Sequence, residues 1–219
     1  MRITDVTSDE FREMVLAFPS GTSEPAPKRS SGVHVSDIIR DIDNSIINVG
    51  QRQKFDQLTP AEKLRMGAHT SMGWAWEEVI THALARVRPT MPGVVRPGEF
   101  TLDGIHMTPD GVFEREWAVE EFKATWRSSN RPLDPDFWSW LVQIKAYCLA
   151  LQTQRAYLSV FWVCGDYRES GPFTQRFRLE FNDAEIRDNW TMLVSHAKSK
   201  GWLEPKKQHV THTRTKKRK

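Results

Sequence analysis

The sequence predicts an α/β fold in which helices flank one central mixed sheet. The prediction rests on two observations: apolar residues have helical spacing towards both ends of the chain, and they alternate with a two-residue period in its middle. A length of 219 residues with 39% hydrophobic content is enough for the core of one globular domain. No apolar run reaches the roughly 18 residues of a membrane helix, which excludes membrane-spanning classes.

The first half of the chain contains a loop and two predicted helices. Residues 20–32 are rich in Pro, Ser and Gly and separate an N-terminal arm from the body. Ser36 and Asp37 are placed to cap a short helix whose apolar residues are isoleucines. A second helix is predicted over about 60–86, because a capping-box pattern, Thr-Pro-Ala-Glu, begins at Thr59.

The second half begins with strand signals. Apolar residues near 100–105 and 117–122 lie on either side of a Thr-Pro-Asp-Gly turn at 108–111, which predicts two or three strands in a meander. A long helix is then predicted at 134–152, a pair of strands at 156–164 and 172–181, and a closing amphipathic helix at 183–200. Helices packed around one mixed sheet bury these apolar faces most simply.

Charge and cysteine content limit the classes of function. The last fourteen residues carry seven Lys and Arg and no acid, whereas the chain as a whole has a net charge of +3. Such a basic tail is typical of segments that bind phosphate polyanions. Cys148 and Cys164 are too few for a disulfide scaffold or a four-cysteine metal site, and the N-terminus lacks the pattern of a signal peptide. We therefore expect a cytoplasmic protein with an arm at 1–31, one domain at 32–203 and a disordered basic tail at 204–219.

The residues that carry chemistry lie in the predicted meander. Asp110 is in a turn, and Glu121 and Lys123 are two apart in an apolar strand, so they share a face while Phe122 points to the opposite one. If the turn lies at the end of the neighbouring strand, the carboxylates of Asp110 and Glu121 and the ammonium group of Lys123 lie close together. Carboxylate oxygens suit Mg²⁺, which activates water, and Lys123 would stabilise developing negative charge or orient the water. Taken separately, each part has an alternative explanation. Asp110 can belong to a simple turn, and Glu121 and Lys123 can form a cross-strand ion pair.

The pattern of Pro109-Asp110 followed by Glu121-x-Lys123 resembles the signature of the PD-(D/E)XK nuclease superfamily. The resemblance implies a restriction-endonuclease-like αβββαβ core and hydrolysis of phosphodiester bonds with Mg²⁺ or Mn²⁺. It also implies that Asp110, Glu121 and the Phe122 carbonyl bind the metal and that Lys123 is catalytic.

Two helical segments extend the resemblance to the RecB-like and lambda-exonuclease-like groups. Gly73-x-x-x-Glu77 is similar to their helical acidic motif, which implies that Glu77 is a third metal ligand, with the adjacent Glu78 as the alternative. Gln143 and Tyr147 resemble the Gln-x-x-x-Tyr element, and they lie four apart on one helical face. The resemblance implies a catalytic role for Gln143.

Several residues are candidate DNA contacts. Arg29 and Ser36 resemble a segment of lambda-type enzymes that holds a terminal phosphate, although a loop arginine and a helix cap explain them equally well. Arg127, Arg131 and Lys145 are close in sequence to the proposed site and suit phosphate recognition. Of the site residues, those predicted to contact DNA are Arg29, Ser36, Arg127, Lys145 and Tyr147. The two cysteines exclude the iron–sulfur cluster of some RecB-like nucleases.

The sequence thus predicts a metal-dependent deoxyribonuclease, more specifically an exonuclease of phage-type DNA recombination or processing. Its expected partners are linear duplex DNA or single-stranded ends, a single-strand annealing or recombination protein, and further copies of the chain; a phage-encoded enzyme would act in the bacterial host cytoplasm. Three alternatives stay open: a non-catalytic protein that binds nucleic acid through its basic tail, an endonuclease of the same fold, and a nuclease for RNA or branched DNA.

Overall fold

The computed structural model describes residues 1–5, 30–46, 59, 75–76, 94–167 and 171–203. Most of the predicted helix over 60–86 and the whole basic tail lie outside the described residues. The described helices are α1 (Val35–Ile46), α2 (Trp138–Ala150) and α3 (Asp183–Ser199). The described strands are β1 (Arg2–Asp5), β2 (Val33–His34), β3 (Val94–Val95), β4 (Phe100–Leu102), β5 (Ile105–Met107), β6 (Gly111–Phe113), β7 (Ala118–Thr125), β8 (Arg155–Trp162) and β9 (Phe173–Glu180).

The central sheet has the strand order β1-β9-β8-β7-β6-β3 and is mixed. β7 and β8 are parallel and are connected through α2, while the other neighbours in this sheet are antiparallel. A smaller sheet has the order β2-β5-β4. The predicted central mixed sheet flanked by helices is therefore confirmed. Among the described helices, none has both the length and the apolar character needed to cross a bilayer.

Alternation along the central strands separates an apolar layer from a more polar one. Leu158, Val160 and Trp162 of β8 are buried in the same core as Leu141 and Ile144 of α2. The helices α1, α2 and α3 contact one another around this core. Residues of β7 that point to the α2 side consequently lie at the margin of a rigid, well-packed layer.

The strand pair and the closing helix predicted at the end of the chain are confirmed. β8 and β9 pair antiparallel from Arg155↔Glu180 to Trp162↔Phe173. α3 begins after Asn182, whose side chain accepts a hydrogen bond from Glu185 N at 2.8 Å. The Glu185 carboxylate in turn accepts from Asn182 N at 2.9 Å, which completes a capping box.

Two predicted boundaries are wrong for local reasons. The helix predicted from 134 begins at Trp138. Asp134 precedes Pro135, and a residue before proline is disfavoured in helical conformation; residues 134–137 form a turn that leads into the helix. Trp117 was predicted to lie in a strand, but it has a φ of 50° and belongs to the turn between β6 and β7. The sequence also did not predict β1, which adds to the edge of the sheet by pairing with β9.

The small sheet places two histidine rings side by side. His34 of β2 and His106 of β5 have ring centroids 5.2 Å apart. His106 Nδ1 lies 3.0 Å from Thr101 Oγ1 and 3.2 Å from Glu99 Oε1. These contacts hold the His106 ring in one position.

We predict that Gly32 tolerates no side chain, because a Cβ there would lie 2.7 Å from His106 Nε2 and its φ is +131°. Gly32→Ala should lower the free energy of unfolding by about 1–3 kcal/mol, measured by urea denaturation. Gly98→Ala is the matched control, since Gly98 also has a positive φ but its added Cβ meets nothing within 4 Å. Equal losses for the two variants would contradict a clash with His106.

Candidate active site

The candidate active site lies on the side of β7 that faces α2. Lys123 Nζ donates to Glu121 Oε1 at 2.5 Å and to Gln143 Oε1 at 3.0 Å. Glu121 is completely buried, whereas a fifth of the Lys123 side chain is exposed. The ammonium group is thus held between a strand carboxylate and a helix amide while it keeps access to solvent.

Asp110 reaches the same place from the neighbouring strand. It immediately precedes β6, which pairs antiparallel with β7 so that Gly111 lies opposite Glu120. Asp110 Oδ2 accepts a hydrogen bond from Phe122 N at 2.8 Å. The Asp110 carboxylate is therefore fixed to the β7 backbone at Phe122, which lies between Glu121 and Lys123.

α2 supplies the third part of the cluster. Gln143 Nε2 donates to the hydroxyl oxygen of Tyr147 at 2.6 Å, a contact that follows from their spacing of four residues on a helix. The Gln143 amide is oriented by this bond, since its nitrogen faces Tyr147 and its oxygen faces Lys123. A continuous hydrogen-bonded series runs from Tyr147 through Gln143 and Lys123 to Glu121.

Glu120 points to the opposite face of the sheet. Arg176 Nη2 donates to Glu120 Oε2 at 2.5 Å, and Ser159 Oγ donates to Glu120 Oε1 at 3.0 Å. Burial raises the pKa of Glu120 to about 6, against the opposing effects of the Arg176 charge and the Ser159 hydrogen bond. The Arg176 guanidinium also lies 4.4 Å from the ring centroid of Tyr157. Adjacent glutamates of β7 therefore belong to two separate polar clusters.

The other predicted site residues are not brought to this cluster. Lys145 is two residues from both Gln143 and Tyr147 on α2, so its side chain points in a different direction from theirs. Its Nζ lies 5.5 Å from the ring centroid of Phe181. Arg127 follows the carboxyl end of β7 and donates from Nη1 to the Asp136 carbonyl at 2.7 Å. Ser36 lies in the first turn of α1. The remaining candidates lie outside the described residues: Arg29, Glu77 and Glu78.

The donor set at the cluster suits a hard divalent cation. Asp110 and Glu121 supply carboxylate oxygens, and the backbone N–H of Phe122 is bonded to one of them. Mg²⁺ in proteins is commonly held by one or two carboxylates and keeps several waters, so two carboxylates fit it. Within the described ranges, no group of three or more His, Cys, Asp or Glu side chains is arranged to hold a metal ion. Glu77, the predicted third acidic ligand, lies outside the described residues.

The partner of Glu120 is the feature of this region that the sequence did not indicate. Arg176 is 56 residues from Glu120 along the chain, and they meet because β8 lies between β7 and β9 in the sheet. The only usable signal was the position of Arg176 in an alternating strand, and this does not identify a partner.

No family model matches the sequence, and no curated protein matches it. Solved structures do resemble the fold. The alkaline exonuclease LHK-Exo from Laribacter hongkongensis is 16% identical, with 77% of this chain and 87% of that chain covered and a TM-score of 0.43. Its complex with dAMP gives a TM-score of 0.41 at 16% identity, with coverages of 77% and 89%. The structure of SSO0001 is 12% identical, with coverages of 85% and 84% and a TM-score of 0.41.

We predict that Lys123→Met destabilises the protein, because the buried Glu121 carboxylate loses its ammonium contact. The free energy of unfolding, measured in urea at pH 8, should fall by about 3 kcal/mol. Adding Glu121→Gln should recover part of the loss, since the buried charge is removed with its partner. Lys198→Met, at an exposed position of α3, is the control. If Lys123→Met and Lys198→Met unfold alike, the ion pair does not contribute to stability.

Proposed function

We propose that this protein is a divalent-cation-dependent nuclease that hydrolyses phosphodiester bonds in DNA. The observation that supports the proposal is the contact of Lys123 with both Glu121 and Gln143, beside an Asp110 carboxylate that is bound to the backbone of the same strand. Two acidic oxygen donors and an oriented ammonium group are what this hydrolysis needs in one place.

In this proposal Asp110, Glu121 and the Phe122 carbonyl hold Mg²⁺ or Mn²⁺. The cation, when bound, lowers the pKa of a water molecule and neutralises charge on a phosphate oxygen. Lys123 donates hydrogen bonds to the attacking water or to the phosphate oxygens, where negative charge increases in the transition state. Gln143 orients Lys123. The water oxygen forms its bond to phosphorus as the bond to the leaving oxygen breaks; the water loses a proton to solvent, and the leaving oxygen takes one from solvent.

The finer assignment is an exonuclease of phage-type DNA recombination or processing that acts on linear duplex or single-stranded ends. It is supported by the resemblance of Gln143 and Tyr147 to the RecB-like element and of Glu77 to the lambda-type helical acid. An annealing protein and further copies of the chain are the expected partners, and Glu77 is the expected third ligand. The basic tail, with seven Lys and Arg in fourteen residues, supports binding to a phosphate backbone.

We predict that Lys123→Met and Asp110→Asn each reduce Mg²⁺-dependent cleavage of an end-labelled linear duplex by at least about 100-fold. Both reactions should stop in EDTA. Lys198→Met and Asp188→Asn are matched controls, because they remove the same charges from exposed positions of α3. Cleavage that survives both site substitutions would contradict the assigned site.

We predict that closed circular duplex DNA resists the protein while the same DNA, once linearised, is degraded. An exonuclease acts only from a strand end, whereas metal-dependent hydrolysis of a phosphodiester does not itself require a strand end. Gel analysis of both forms with Mg²⁺ tests this. Cleavage of circles would favour the endonuclease alternative. Absence of cleavage of any DNA or RNA, with binding that disappears on removal of residues 206–219, would favour the non-catalytic binding protein.

A further inference from the structure

Tyr167, in the loop after β8, has an aromatic ring that is both exposed and fixed. The residue is 64% exposed. Its φ of 65° lies in the left-handed region, which glycine and asparagine adopt more readily than tyrosine. Its backbone N–H donates to the Cys164 carbonyl at 3.0 Å, and its hydroxyl donates to the Trp126 carbonyl. The ring is therefore held at one place on the surface with much of it open to solvent.

The loops that follow β7 and β8 form one joined surface. Because the two strands are parallel, their carboxyl ends lie at the same edge of the sheet. Val163 N donates to the Thr125 carbonyl at 2.9 Å, and Ser129 N donates to the Gly165 carbonyl at 3.1 Å. These bonds connect the loops directly, so the position of Tyr167 is tied to the end of β7.

The candidate active site lies further back on the same strand, at Glu121 and Lys123. Trp126, whose carbonyl accepts from the Tyr167 hydroxyl, comes three residues after Lys123. β7 ends at Thr125, so the three steps from Lys123 to Trp126 span at most about 10 Å, the length of three residues of extended strand. This is roughly the length of three stacked base steps in a nucleic acid strand. A strand whose phosphate lies at Lys123 thus has bases within reach of the Tyr167 ring.

The same loop surface carries positive charge. Arg127 and Arg131 are exposed residues of the loop after β7. Arg127 is oriented by its bond to the Asp136 carbonyl, and Arg131 Nη1 lies 3.6 Å from Asp136 Oδ2. Exposed aromatic rings next to basic side chains are the combination by which proteins bind single-stranded nucleic acid, with rings stacking on bases and cations meeting phosphates.

We propose that Tyr167 stacks on an unpaired base of the substrate strand beside the candidate active site. The inference rests on the proposed function, and it specifies the substrate as a strand that is single-stranded at this position. Arg127 and Arg131, which both contact Asp136, bind phosphates of the same strand. Tyr167 is thus a substrate-binding residue, and the chemistry stays with Asp110, Glu121 and Lys123.

The test uses single-stranded oligonucleotides that carry one 2-aminopurine at successive positions from the end, in EDTA so that no hydrolysis occurs. The unchanged protein should quench 2-aminopurine fluorescence strongly at one position, and Tyr167→Ala should remove this quenching. Tyr167→Ala should also weaken binding about 5- to 150-fold, the effect of losing one stacked base. Tyr167→Phe, which keeps the ring and loses the hydrogen bond from the hydroxyl to the Trp126 carbonyl, should bind less tightly than the unchanged protein but more tightly than Tyr167→Ala.

Trp117→Ala is the matched control. Trp117 is 51% exposed, has a φ of 50° and donates its ring N–H to the Leu151 carbonyl at 2.8 Å, but it precedes the opposite end of β7. Its substitution should leave oligonucleotide affinity and quenching unchanged. Equal losses in Trp117→Ala and Tyr167→Ala would overturn the proposal, since they would indicate a general effect on the fold.

An abasic nucleotide at the quenched position separates stacking from a structural role. If Tyr167 stacks on that base, the unchanged protein and Tyr167→Ala should bind the abasic strand with the same affinity. An undiminished difference on the abasic strand, a Tyr167→Phe variant as weak as Tyr167→Ala, or the lack of any quenched position would each overturn the proposal. The nuclease proposal is tested by a separate assay. It fails if no Lys123-dependent cleavage is observed with Mg²⁺.

Discussion

The organisation of this protein depends on two consecutive buried glutamates in β7, each of which has a cation on its own face of the sheet. Glu120 meets Arg176 on one side, and Glu121 meets Lys123 on the other. A buried carboxylate is costly unless an opposite charge or hydrogen bonds compensate it, so both pairs constrain their surroundings. The Arg176 pair joins β7 to β9 across β8, and Gln143 joins the Lys123 pair to α2. Each pair therefore disfavours a register shift of β7, which would move its glutamate away from its cation.

The same arrangement is the basis of the chemistry that we propose for the α2 side of β7. Asp110 is bound to the Phe122 amide and Lys123 to two acceptors, so the groups need little rearrangement to act together. A site carried by strands and a helix is held more precisely than one built on loops. In the proposed function, the choice of substrate is left to the loops at the carboxyl edge, where Tyr167 and the arginines lie. That proposal assigns phosphodiester chemistry to β7 and α2, and recognition of a particular nucleic acid structure to the loops.

Local periodicity explains which features the sequence predicted. Alternation placed Glu121 and Lys123 on one face, and helical spacing placed Gln143 next to Tyr147, since both rules depend on neighbouring residues alone. The strand pair, the closing helix and the mixed sheet followed from the same rules. The meeting of Arg176 with Glu120, the pairing of β1 with β9 and the left-handed backbone of Tyr167 depend on contacts between distant segments. Periodicity carries no information about such contacts.

The assignment of Asp110 and Glu121 as ligands makes divalent cation binding the property to measure next. Mn²⁺ titrations followed by electron paramagnetic resonance would compare the unchanged protein with Asp110→Asn, Glu121→Gln and the exposed Asp188→Asn. We expect the unchanged protein and Asp188→Asn to bind Mn²⁺ equally, and the other two variants to bind it about 10-fold more weakly or worse. Mn²⁺ affinity that is the same in all four proteins would contradict the metal site, and with it the chemistry assigned to β7.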